Sequence, residues 1–237
     1  MQYDYLVVGA GPAGLACAIR LKQLRSDATV CVLEKAASLG AHSLSGAVLE
    51  PGPLDTLLPD WRKQYTGMAV PAAQDEFRFL TRSKSIKLPL PPTMNNHGNV
   101  IVSLGQLTAW LGTQAEAMGV DVFPGFAAAA PVFNAQGAVA GVQVGDMGLN
   151  QDGSEGPHFT PGIEIIASTT ILSEGSRGSL SKVLINKFQL DAGKSPPTFG
   201  LGFKELWQLP PGRVQPGFIQ HSAGWPLDNA TYGGSFL

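Results

Sequence analysis

Four residues near the amino end have the types and spacing for work on a phosphate. Gly9, Gly11 and Gly14 stand in the order G-x-G-x-x-G, with Pro12 and Ala13 between the last two, and Glu34 follows twenty residues past Gly14. Glycine at the first position permits a tight turn. At the second it lets a pyrophosphate come against the backbone, and at the third it lets helix and strand pack closely. A helix starting there turns its free N–H groups and positive dipole end toward an anion. Glu34 can accept hydrogen bonds from a ribose, and it favours a free hydroxyl, as in FAD or NAD, over a 2′-phosphate.

Such residues need elements to hold them. Residues 5–8 (YLVV) are an apolar, β-branched run suited to a strand buried on both faces, residues 13–25 are helix formers, and residues 29–33 are a second apolar strand ending at Glu34 and Lys35. The strand, turn, helix and strand supply the context that a glycine pattern lacks when it stands alone. Beyond them, Gly40, Ser43, Ser45 and Gly46 form a small-residue loop. It either lies along a ribityl chain or pyrophosphate or is a plain turn. Further on, residues 168–173 (STTILS) predict a strand ending at Glu174 and Gly175 and leading into a helix over about 178–188. That repeats the first pattern: a carboxylate for ribityl or ribose hydroxyls, with backbone N–H groups beside it.

Composition narrows the classes. The 237 residues suffice for one large or two modest domains with a core, and 44% are hydrophobic against 14% charged. A formal charge of −2 without any basic run argues against nucleic acid as a partner. The two cysteines, Cys17 and Cys31, read as small buried thiols, and two thiols cannot make a four-thiolate metal or iron–sulfur site. The first strand begins just after Met1, so no targeting peptide is expected ahead of it. No run is long and apolar enough to span a bilayer.

The rest of the chain alternates between the two periods. Leu44, Val48, Leu49, Leu54, Leu57, Leu58 and Trp61 are either core or a surface dipping among lipid head groups with Trp61 at the interface. Residues 75–81 alternate as a half-buried strand that pairs with 85–88. The proline-rich 88–99, with His97, predicts a fixed loop and a candidate cover over a site. Residues 100–104 predict a strand, 105–118 a helix closed by Gly119, and 120–123 a strand extending the parallel sheet. A hairpin turning near 134–137 follows, then a polar loop over 148–158. Residues 198–207, 217–223 and 231–237 read as strands of a second sheet.

Taken together, 7–24, 32–52, PDW (59–61), MNNHGNVIVSLGQL (94–107), EGSRGSL (174–180), FKELW (203–207) and GWPLDNATYGGSFL (224–237) resemble the family of electron-transfer flavoprotein:ubiquinone oxidoreductases. GAHSLSGAVLEP, MNNHGN and the final stretch are the narrow parts of the match. The resemblance implies a peripheral membrane enzyme that uses FAD and one 4Fe-4S cluster to pass electrons from a soluble electron-transfer flavoprotein to ubiquinone. It works at the cytoplasmic face of a bacterial inner membrane or the matrix face of the mitochondrial one. It implies an α/β fold: a FAD-binding Rossmann-like, glutathione-reductase-type parallel sheet with an antiparallel insertion, and the start of a second, mixed-sheet quinone domain. The boundaries expected are 1–72 with 100–190 for FAD, and 73–99 with 191–237 for quinone. Carried onto this chain, Gly9, Gly11, Pro12, Ala13, Gly14, Glu34 and Lys35 hold the pyrophosphate and ribose. Gly40, Ala41, His42, Ser45, Gly46, Glu174 and Gly175 line the flavin, and Tyr232, Gly233 and Gly234 contact the quinone. Residues 39–60 match the membrane-dipping segment.

The departure is length. Family members are much longer, with a second flavin loop and the cluster cysteines lying past residue 237, so the expectation is an amino-terminal portion of such an enzyme. Two other readings share the dinucleotide pattern. One is a nicotinamide-using flavin reductase or monooxygenase of the geranylgeranyl-reductase type, acting on a lipid-like substrate; the other is a non-catalytic FAD-binding module.

Overall fold

The computed structural model describes residues 1–237 other than Ser45 and Asn229. In chain order the elements are β1 (Gln2–Val8), α1 (Pro12–Leu24), β2 (Val30–Glu34), β3 (Ala47–Leu49), α2 (Gly52–Leu57), α3 (Trp61–Gln64), β4 (Ala69–Pro71), β5 (Gln74–Leu80) and β6 (Ser85–Leu88). There follow a 3-10 turn (Pro92–Met94), β7 (Val100–Val102), α4 (Leu104–Ala117), β8 (Asp121–Pro124), β9 (Ala128–Phe133), β10 (Val139–Val144), β11 (Met147–Leu149) and β12 (Glu155–Thr160). The last are β13 (Glu164–Leu172), α5 (Ser179–Phe188), β14 (Phe218–Gly224) and β15 (Ser235–Phe236).

Two compact units result, Met1–Leu44 with Leu104–Gly202 and Ser45–Ser103 with Phe203–Leu237. The first is built on a six-stranded sheet in the order β8-β2-β1-β13-β10-β9. β8, β2, β1 and β13 run parallel, as crossover helices require, while β10 and β9 form the antiparallel insertion. β1 and β2 are almost continuously apolar because both faces are covered. Leu6 and Val8, paired with Cys31 and Leu33, are buried with Val142, Ile165 and Leu180 of α5. Val7, Val30 and Val32 point the other way and are equally buried. α1 packs on β2 and α4, sinking Leu15, Ala18 and Ile19, and Leu15 and Ile19 each contribute about 1.5–3 kcal/mol on burial.

The second unit holds a four-stranded sheet, β15-β14-β5-β6, and a three-stranded antiparallel one, β3-β7-β4. β5 and β6 pair in the expected hairpin, while β14 enters parallel to β5 from far along the chain. This arrangement moves the boundary expected near residue 72. Residues 45–72 and 100–103 belong here because β3 and β4 both pair with β7, whereas 191–202 stay with the first unit.

Two further expectations are corrected. The polar loop over 148–158 is largely a β11–β12 hairpin, turned at Gly153 and pinned by the Asn150 side chain on Ser154 and Glu155. Residues 198–207 form no strand: Phe199, Leu201, Phe203, Leu206 and Trp207 are all exposed. In the apolar stretch around Trp61, the part nearest the indole is core. Leu54, Leu58 and Trp61 are buried, and the Trp61 indole donates to Asp55 Oδ1 at 2.6 Å. Arg62 also binds Asp55 and holds its carboxyl below the usual range. Of the residues offered for a membrane surface, Leu44 is exposed.

Candidate functional site

The glycine turn joins the end of β1 to α1, and its three glycines differ in what surrounds them. At Gly9, φ is +102°, and a Cβ there would stand 2.4 Å from the Ser173 carbonyl oxygen at the end of β13. At Gly14 a Cβ would stand 2.0 Å from the Gly9 carbonyl oxygen. Both are sealed against backbone. Gly11, between them, would meet nothing within 4 Å. It caps α1 with φ −71° and ψ 175° and offers no side chain to the helix, while Pro12 takes the first helical position. The orphan N–H groups of the first turn and the positive end of the dipole therefore face open space over Gly11. That is the shape and charge an approaching pyrophosphate needs.

Glu34 completes the corner. Its Oε2 accepts from the Ala10 N–H at 3.0 Å and its Oε1 from the Ala36 N–H at 2.8 Å. The carboxylate is thus fixed beside the turn by two backbone donors, and each oxygen keeps a lone pair for a ribose hydroxyl. The residues fit a dinucleotide carrying a free ribose diol. Lys35, next in the chain, is exposed.

The loop after Lys35 is set down on α4. Gly40, at φ +80°, would place a Cβ 2.2 Å from the Gly105 carbonyl oxygen, and a Cβ at Gly112 would overlap a Leu39 methyl. Gly105 and Gly112, two helical turns apart, therefore let the loop lie flat on the helix. Neither was marked in the sequence, where both read as ordinary members of an amphipathic helix. Ala41 and His42 are exposed at the loop's tip. Ser45 lies outside the described residues, and Gly46 belongs to the second unit.

Glu174 has partners within the chain. It lies at the end of β13, whose Ser173 N–H donates to Val8 at 2.8 Å, so it is indeed beside the glycine turn. Its carboxylate, however, accepts from the N–H groups of Leu180 and Ser181 and from the Ser181 hydroxyl, at 3.0, 2.8 and 2.7 Å. It caps α5, and Gly178 is glycine because this side chain folds over it. Gly175, at φ +79°, has open space at its Cβ position.

In the second unit the MNNHGN turn is fixed, as its sequence suggested. Asp75 on β5 accepts from the Asn96 N–H at 2.9 Å and from Asn96 Nδ2 at 2.6 Å, and Asn99 Nδ2 donates to Asn96 Oδ1. His97 is exposed at its tip. Tyr232 is fully exposed, and Gly233 and Gly234 lead into β15. A Cβ at Gly234 would stand 2.4 Å from the Ser222 carbonyl oxygen of β14, so backbone pairing itself demands glycine there. At Gly233 it would meet only a Leu227 methyl, at 2.9 Å. Both cysteines lie in the first unit. Cys17 is half-buried and Cys31 buried, and burial pushes the Cys31 thiol up to about 12.

This parallel sheet and glycine turn define a Rossmann-like dinucleotide-binding protein. A family model for NAD(P)-binding Rossmann-like domains matches residues 7–61, and one described as ETF-QO, ubiquinone-binding matches 199–237. In sequence the chain is similar to the electron transfer flavoprotein-ubiquinone oxidoreductases. It is 48% identical to the mitochondrial enzyme of Homo sapiens over all of its length and 39% of that protein's. It is 48% identical to that of Dictyostelium discoideum, covering 40% of it, and 46% identical to that of Arabidopsis thaliana, covering 38%. The chain thus spans about two-fifths of these relatives. Among solved structures, a geranylgeranyl bacteriochlorophyll reductase-like protein from Thermoplasma acidophilum matches 94% of this chain and 51% of its own. The TM-score is 0.56 and the identity 16%. A myxobacterial FAD-dependent halogenase matches 76% of this chain and 39% of its own, with a TM-score of 0.53 and 17% identity. At such identities these two speak for the fold.

Proposed function

We propose that the chain forms the FAD-holding and quinone-facing part of an electron-transfer flavoprotein:ubiquinone oxidoreductase. The similarity along the whole chain carries this reading, together with the ubiquinone-binding match falling on β14 and β15. FAD supplies a group that takes up two electrons and releases them again. The chain's residues bind and orient it. The N–H groups at the start of α1, reached over Gly11 with Pro12 and Ala13, hold the pyrophosphate. Glu34, fixed by Ala10 and Ala36, takes the ribose with Lys35 beside it. Gly40, Ala41, His42, Gly46 and Gly175 border the flavin, and Glu174 serves them by anchoring α5. Tyr232 and Gly233 offer a ring and backbone groups to a quinone carbonyl. Reduced electron-transfer flavoprotein is the donor and ubiquinone the acceptor, at a membrane surface that residues near Leu44 approach.

Two cysteines in the nucleotide unit do not fit an iron–sulfur cluster, and no step here passes through one. The test is quinone reduction by reduced electron-transfer flavoprotein, measured on a flavin-loaded polypeptide of the relatives' full length that carries this sequence. NADH or NADPH oxidation is followed in parallel. Quinone reduction without nicotinamide oxidation is the expected result. Nicotinamide-driven turnover without it would assign the chain to a flavin reductase instead.

A further inference from the structure

One motif, FKELW at 203–207, lies within the ubiquinone-binding match, and its side chains have no role in the function proposed above. Its Lys204 spans two segments of the second unit. The ammonium donates to the Gly46 carbonyl oxygen and stands 5.7 Å from the centroid of the Phe236 ring. Gly46 has φ +77°, a conformation that suits glycine, and a Cβ there would stand 3.6 Å from Lys204 Nζ. Phe236 lies in β15, two residues beyond Gly234. The next residue, Glu205, accepts instead from the Trp207 indole at 2.8 Å. Among the described residues no carboxylate forms an ion pair with Lys204. One exposed ammonium, without a carboxylate partner among the described residues, therefore joins a carbonyl assigned to the flavin border and the strand assigned to the quinone.

We infer that Lys204 is a positioning residue for electron delivery to the quinone. It holds Gly46 against β15 and keeps a positive charge beside the acceptor. Reduction of a quinone consumes two electrons, supplied by reduced electron-transfer flavoprotein, and two protons from solvent, giving the quinol. Negative charge grows on the carbonyl oxygen before the protons arrive, and a fixed cation nearby stabilises it. This rests on the proposed function, because Gly46 and the 232–234 strand take their roles from it.

The test uses Lys204→Met and Lys204→Arg in the flavin-loaded, full-length protein with a soluble short-chain ubiquinone analogue. Flavin content should stay at the wild-type level in both. The Met variant should lose about tenfold in kcat/KM, mostly in kcat, equal to about 1.4 kcal/mol of transition-state stabilisation, and the Arg variant should recover most of it. Independently, acetic anhydride followed by mass spectrometry should modify Lys204, whose ammonium is held by the Gly46 carbonyl, several-fold more slowly than Lys63 of the same protein, whose side chain is 83% exposed. Wild-type kcat in the Met variant overturns the inference. So does flavin loss in both variants, which would make the side chain merely structural. Equal acylation of Lys204 and Lys63 would remove the contact itself. A wild-type protein that reduces no quinone would overturn the proposed function and the electron-transfer role with it, while slow acylation would still establish the clamp.

Discussion

Gly11 and Gly14 are three residues apart, yet alanine at each should fail in opposite ways. At Gly14 the added carbon stands 2.0 Å from the Gly9 carbonyl oxygen, against an ordinary C···O approach of about 3.3–3.6 Å. Both partners are backbone, so no rotamer change relieves the overlap, and α1 must lift from the end of β1. Overpacking a fitted interior costs about 1–3 kcal/mol, and an overlap of about 1.3 Å against backbone belongs at the upper end. Set against a total stability of about 5–15 kcal/mol, that is a large share. At Gly11 the carbon meets no atom within 4 Å, and φ −71° and ψ 175° suit any residue. The gain from a stiffer unfolded chain, about 0.4–1 kcal/mol, offsets a slightly poorer cap, for a net change within about 0.5 kcal/mol. Urea unfolding of the flavin-free proteins by circular dichroism separates the two. With a slope of about 1–3 kcal/mol per molar, Gly14→Ala should lower the midpoint by at least about 1 M while Gly11→Ala leaves it in place. Flavin titration should then show Gly11→Ala weakened at least tenfold, because its methyl stands where the pyrophosphate comes against the helix. A Gly11→Ala protein as unstable as Gly14→Ala, or a Gly14→Ala protein that unfolds with wild type, would refute the division between sealed and open glycines.

Glu174→Ala should cost about 1–2 kcal/mol and fray α5, seen as lost amide protection near Leu180 and Ser181, with flavin affinity unchanged; a weakened flavin with α5 intact would return Glu174 to the cofactor. Cys31 should resist a maleimide at pH 8 in the native protein and react fully in urea, because burial disfavours its thiolate. Its folded value lies above the unfolded one of about 8.5, so its contribution to stability is complete below that pH and is lost as pH rises toward about 12. A wild-type unfolding midpoint that rises with pH over that range relative to that of Cys31→Ala would contradict the sign. In the second unit, Gly234→Ala should destabilise the β14–β15 pairing, whereas Gly233→Ala should shift only a Leu227 methyl and leave the fold in place. Quinone reduction lost in a folded Gly233→Ala protein is the cleaner sign of quinone contact.

What could be read in the sequence divides along the reach of the interactions. The β1–α1–β2 corner was legible because its requirements are local: three glycines, an apolar run on each side and an acid at a set distance. The β5–β6 hairpin and the Asn96 turn were legible for the same reason. Glu174 was not, since an acid ahead of a helix serves equally a ribose or the helix's own N–H groups, and only the fold of 174–181 decides. Trp61 was ambiguous because an indole suits a lipid interface or a core. Its bond to Asp55 and its burial settle the matter. Residues 198–207 have the alternation of a strand, but pairing depends on a neighbour, and none lies alongside among the described residues. The β11–β12 hairpin was missed for the converse reason. Its polar side chains hide a backbone that pairs well.

The place of β1 in its sheet has a consequence for biosynthesis. β1 lies between β2, which ends at Glu34, and β13, which ends at Leu172. On a ribosome adding about 5–20 residues per second, the 138 residues separating those two ends take about 7–28 s to emerge. Through that interval the nascent chain carries an apolar central strand with one edge satisfied and the other bare, a template for pairing with any strand that comes near. A slowly translated stretch after residue 34 lengthens that exposure, and a chaperone that covers the open side of β1 shortens it. Synonymous codon choice between β2 and β13 is thus a route by which the yield of folded protein changes with no change in any residue.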